Sequence, residues 1–205
     1  MFAARTCMMA GVGLTGVFLW YLVRFWVYGK AVVLTSAPLT IPAGFLIASM
    51  AVATLIGAAL ASWAAGPISE RIEEKNIPVA RVVAGACLLY AIGLGLAWGL
   101  GVWSTGTARE NGMLLFALIS GFAFGIYDSL GLELVMDSLP DPRRAGHDLG
   151  IYALANSAGL ALAAIIGALL VNAFEHSFGY YLLFPSAIVM VLLAGIVTLT
   201  TKSAE

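Results

Sequence analysis

Long apolar runs divided by short polar breaks make up almost the whole chain. Six of them, at 6–27, 40–65, 79–103, 113–136, 149–173 and 180–200, are long enough for a helix to cross about 30 Å of hydrocarbon, which takes roughly 20 residues. Strands of a membrane barrel would alternate apolar and polar positions over about 10 residues. These runs are instead continuous, with Gly and Ala at helical spacing. The pattern predicts an all-α polytopic membrane protein: a six-helix transmembrane bundle forming a single domain over 1–205. Pro38, Pro42, Pro78, Pro140 and Pro142 stand at the breaks, where helices begin or end, and Glu175-His176-Ser177 marks the last one. The first run exceeds the apolar core of a signal peptide, about 7 to 15 residues, and contains Arg24, so it is expected to be retained.

Composition narrows the function. Hydrophobic residues are 61% of the chain and charged ones 10%, and mean hydropathy is +0.99, whereas a soluble domain is about a quarter charged. A secreted domain, a cytosolic enzyme and a disordered chain are thereby excluded. Ten Lys and Arg against eleven Asp and Glu leave a net charge of -1, which offers no basic field to nucleic acid. Cys7 and Cys87 fall inside apolar runs, where a thiol packs as a small hydrophobe.

Basic residues flank the runs unevenly. Arg5, Arg71, Lys75, Arg81, Arg143, Arg144 and Lys202 fall on the side of the N-terminus, and Arg24, Lys30 and Arg109 on the other. The excess predicts an inner (plasma) membrane protein with both termini in the cytoplasm. Trp20, Tyr21, Trp26, Tyr28, Trp98, Trp103, Tyr180 and Tyr181 gather at the opposite ends, as interfacial anchors do.

Two segments carry a resemblance. The first, Gly66-Pro67-Ile68-Ser69-Glu70-Arg71-Ile72-Glu73-Glu74-Lys75, has a Gly, then an acid-Arg pair four and five positions on, then a base. It resembles the cytoplasmic loop motif of the major facilitator superfamily at Gly66, Glu70, Arg71 and Lys75, while Glu73 and Glu74 depart from it. The second runs from Gly125 to Gly159, with Tyr127, Asp137, Leu139, Pro140, Ala145, Gly146, Asp148, Leu149, Gly150 and Asn156 in a frequent pattern. It is similar to the tenth helix, loop and eleventh helix of bacterial members akin to sugar:cation symporters. His147 replaces a common Lys and Gly131 a common Asp. The resemblance implies the C-terminal six-helix half of a twelve-helix secondary transporter, with Asp137, Arg143, Arg144 and Asp148 joining the cytoplasmic gating motif.

Depth arithmetic selects the charges that matter. Counted inward from Asp137 at about 1.5 Å per residue, Glu133 lies about 6 Å deep and Asp128 about 13.5 Å deep. Asn156, counted from His147, lies about 13.5 Å deep as well. A carboxylate at mid-membrane costs at least about 2.5 kcal/mol, so Asp128 needs a water-filled cavity, a partner or a proton. Asp128 and Asn156, with Tyr127 and Tyr152, are the expected transport-pathway or coupling residues; a hydrogen bond that merely joins two helices is the alternative use of the polar pair. Glu133 is expected to pair with Arg81 as a structural ion pair, and Arg24 to snorkel to the interface. Gly121 with Gly125, Gly57 with Ala61, and Ala163 with Gly167 have the spacing that lets helix backbones approach.

His147 and His176 fall on opposite sides, so no metal site is expected, and no cofactor either. The chain lacks a GxxxxGK loop, a GxSxG elbow and an HExxH pair, which argues against an ATPase or a hydrolase. The expected partners are the lipid bilayer, a small-molecule solute, and a second six-helix half supplied by a separate chain, a self-dimer or a missing N-terminal part. The rival expectation is a non-transporting scaffold or truncated remnant.

Overall fold

The computed structural model describes residues 2–27, 41–103, 107–137 and 145–200, and every element in them is helical. That outcome follows from the solvent. In hydrocarbon each backbone N–H and C=O must be satisfied within the protein, and a helix does this inside one segment. Five helices are long and apolar enough to cross a membrane: α3 (Ile41–Glu74), α4 (Val79–Trp103), α5 (Thr107–Asp137), α6 (Ala145–Ala173) and α7 (Glu175–Thr200).

The first apolar run differs from the single helix expected over 6–27. It is divided into α1 (Phe2–Gly16), a short α2 (Leu19–Leu22) and a π-helical segment (Val23–Val27). At the break the Phe18 ring packs against Gly167 of α6, where any Cβ would collide with the ring. The second helix also departs from its expected limit of 65. It runs through Pro67 to Glu74, so the segment read as a loop is an exposed helical extension. Its end is a Schellman arrangement: Asn76 takes φ 48°, the Ile77 N–H reaches the Ile72 carbonyl and the Asn76 N–H that of Glu73. Pro78 then opens α4. The break before α7 is a single residue, Phe174, and Glu175-His176-Ser177 forms the first turn of that helix.

Neighbouring helices follow the order α3, α5, α4, α7, α1, α6, with α6 also meeting α7. Small residues set the closest approaches. A Cβ on Gly57 would strike the backbone of Leu118 and Phe122, and one on Gly121 the backbone of Thr54, so α3 and α5 cross almost backbone to backbone. On α6, Gly159 meets the backbone of Thr6 and Ala10, and Gly13 of α1 meets Ala163. The core lies among α1, α4, α5 and α7, where Met8 and Leu14 are fully buried and Phe116 contacts Tyr90 and Phe184 edge-on, with centroids 6.0 and 6.5 Å away. Phe45, Leu55 and Trp63 on α3, and Leu154 and Leu169 on α6, stand exposed, as residues facing lipid or another bundle do.

Candidate functional site

The polar residues of α1, α5 and α6 converge on one side chain, Arg5. Its Nε donates to Asn156 Oδ1 at 2.7 Å. One terminal nitrogen lies 2.7 Å from Asp128 Oδ1, off the N–H axis, so that nitrogen donates no aligned hydrogen bond. The guanidinium carbon also sits 5.7 Å from the Phe124 ring centroid, 5.6 Å from that of Tyr127 and 5.2 Å from that of Tyr152. Such distances allow attraction between the cation and the ring faces. The Arg5 side chain is 7% exposed and that of Asp128 53%. The cation is therefore enclosed, and its carboxylate partner stands at the open edge.

Local sequence explains the convergence. Phe124 and Asp128 are four apart on α5, and Tyr152 and Asn156 four apart on α6, so each pair presents an aromatic ring and a polar group on one face. Gly159, one turn beyond Asn156, brings α6 against Thr6 and Ala10, which places Asn156 beside Arg5. The Tyr152 hydroxyl lies beside Gly131 of α5, at ordinary contact distance from where a Cβ would be.

All four expected pathway residues, Asp128, Asn156, Tyr127 and Tyr152, thus stand around Arg5. Arg5 itself was expected as a flanking positive charge, and the structure corrects that reading. With Arg5 inside the bundle, the flanking bases number six against three. The signal that points to it is the rule that an intramembrane carboxylate has a partner, since Arg5 immediately precedes the first apolar run, on a helix that packs against α6. Phe124 has no such signal, because an aromatic residue in a membrane helix is ordinary.

Other expected residues are not gathered there. Arg81 is exposed at the start of α4, and among the described residues it forms no ion pair with Glu133, which is half-buried. Gly66, Glu70, Arg71 and Lys75 are exposed, the first three on the extended end of α3 and Lys75 just past it. Among the described residues Glu70, Arg71 and Lys75 have no ion-pair partner. Asp137 ends α5 and Asp148 lies in the first turns of α6, but their side chains fall outside the described set. Arg143 and Arg144 lie outside the described residues altogether. No group of three or more metal-ligating side chains occurs among the described residues.

An enclosed cation, a half-exposed carboxylate and an amide that fixes their geometry, the last two on membrane-spanning helices, can hold and release a polar solute without exposing a lone charge to lipid. No curated protein and no solved structure matches the chain. Residues 28–205, which include Asp128 and Asn156 and begin after Arg5, match the family model described as Major Facilitator Superfamily. By that match, and by its stack of apolar helices, the chain belongs to the major facilitator superfamily of membrane transporters.

Proposed function

We propose that the chain is half of a secondary transporter that moves a small solute by alternating access, with Arg5, Asp128 and Asn156 at the solute site and a proton or cation coupled through Asp128. Supporting this most is the Arg5–Asp128 pair, 2.7 Å apart with the carboxylate half exposed. A mid-membrane carboxylate this exposed needs a water-filled cavity or a further partner, and a solute site between two bundles supplies both. A second six-helix bundle, from another chain, a second copy or a preceding part of the same protein, completes the cavity around that open edge. The protein sits in the inner (plasma) membrane with both termini cytoplasmic, as the distribution of its flanking bases favours.

The test is access from water. Asp128→Cys, in a background with Cys7 and Cys87 replaced by Ala, is treated with a thiol reagent from either face in the complete transporter. A thiol in lipid stays protonated and unreactive. Reaction from both faces, slowed by added solute, is the expected result. A thiol inert from both faces removes Asp128 from any pathway.

A further inference from the structure

We propose that the solute is a small organic anion, whose carboxylate replaces Asp128 on Arg5 and whose apolar body occupies a cleft two helical turns away along α5. This rests on the transport reading above and adds the chemical class of the solute.

The cleft has a volume of about 250 Å3 and lies among Thr15, Met50, Thr54, Tyr90, Phe116 and Ser120. An apolar cavity of about 150 Å3 takes up benzene, so one ring with a short chain fits. Phe116, Ser120, Phe124 and Asp128 follow one another at intervals of four, which makes the wall of the cleft and the ion pair parts of one stripe. Ser120 and Asp128 are about 12 Å apart along the axis. Of the four hydroxyl-bearing residues lining the cleft, three turn their protons back to the helices, Thr15 to Val12 O at 3.1 Å, Thr54 to Met50 O at 2.9 Å and Ser120 to Ala117 O at 3.1 Å, and the fourth, Tyr90, bonds to Thr15. The walls therefore suit an apolar body better than a charged one. The break after Gly16 adjoins this cleft, and broken helices build solute sites in other transporter folds.

Arg5 is held independently of Asp128. Asn156 fixes its Nε, three rings surround its guanidinium, and the nitrogen facing Asp128 has no aligned acceptor. A planar guanidinium takes a carboxylate in a two-pronged hydrogen bond, so a solute carboxylate can replace the contact that Asp128 makes. Asp128 is half exposed and free to leave. The exchange balances: the Arg5–Asp128 contact is lost, an Arg5–solute contact forms, and Asp128 takes one proton from water. The site's net charge stays at zero, and the anion moves with a proton.

The test is equilibrium dialysis of radiolabelled 7-phenylheptanoate, long enough to bring its ring from Arg5 to the cleft, against the complete transporter, the 205-residue chain with its second half, in phosphatidylcholine nanodiscs. Saturable binding is expected, displaced at least tenfold less well by butanoate, 7-phenylheptanol or 7-phenylheptylamine. Asp128→Asn removes the competing carboxylate and should tighten binding at least tenfold while abolishing the accompanying proton uptake; Arg5→Gln should remove binding. At Gly16, which lines the cleft, a Cβ meets nothing within 4 Å, so Gly16→Leu should fold, narrow the cleft and weaken 7-phenylheptanoate tenfold without affecting butanoate. Absence of saturable binding, weaker binding in Asp128→Asn, or equal displacement by the amine overturns the proposal. Displacement by phosphatidylglycerol added to the nanodiscs would assign the site to lipid headgroups and overturn it too. Transport lost in Asp128→Asn without any anion binding refutes the anion alone; transport that survives Asp128→Asn refutes the coupling role given to Asp128 in the transport reading.

Discussion

Arg5 reaches Asp128 at 2.7 Å across a space that α1 and α5 do not otherwise close, since α1 packs mainly on α6 and α7, and α5 on α3 and α4. The ion pair therefore adds a link between α1 and α5, whose helix groups are otherwise joined through α4 on α7 and through Phe116 on Phe184. Asn156, on α6, holds Arg5 from the α1 side of that link.

Asn156→Ala should leave the bundle folded and lower solute affinity roughly tenfold, because it removes a hydrogen bond to a charged group worth about 1.5 kcal/mol. Solute binding measured beside thermal unfolding checks this. Unchanged affinity would make the 2.7 Å contact with Arg5 Nε incidental.

Gly121→Leu should cost about 1–3 kcal/mol, the scale of overpacking, because its Cβ would meet the Thr54 backbone and force α3 from α5. At Gly66 a Cβ meets nothing within 4 Å, so Gly66→Leu should unfold like the wild type. Size-exclusion profiles of heated samples in detergent compare the two, and equal stability would refute backbone contact between α3 and α5.

Hydropathy made α4 legible to the residue, because Pro78 and the aromatic end at Trp103 coincide with its limits, Val79–Trp103. It stopped α3 short, since the fall in hydropathy after 65 marks the edge of the hydrocarbon, while Glu70, Arg71, Glu73 and Glu74 are good helix formers that prolong the helix in water. The real stop, Asn76 before Pro78, is a local signal that an apolar-run reading passes over. The break at Phe18 was hidden because its cause, Gly167, is distant in the chain. The site was half legible for the same reason. Depth placed Asp128 and Asn156 at one level, but their shared partner lies 151 positions from Asn156 and near a span end, where a base ordinarily snorkels.

Topology is tested with single cysteines in the Cys7→Ala, Cys87→Ala background. In intact cells Thr107→Cys should react with an impermeant reagent and Ser69→Cys should not. The reverse pattern would invert the protein in the membrane.

The chain alone should not transport as a monomer, because alternating access needs two bundles around the site and Asp128 would face lipid with its side chain 53% exposed. Mass measurement and uptake in proteoliposomes containing only the 205-residue chain test this together. A strictly monomeric species that transports would refute the need for a second half.

Solute accumulation by Arg5→Gln, Asp128→Asn and the exchanged pair Arg5→Asp with Asp128→Arg, each in the complete transporter at matched expression, tests whether the ion pair is the working centre. All three should fold and none should accumulate solute above a tenth of the wild-type level, since the exchanged pair restores the charge balance but moves the cation away from Asn156 and the three rings. Wild-type accumulation by Asp128→Asn, or full recovery in the exchanged pair, would show that the two charges only hold α1 to α5.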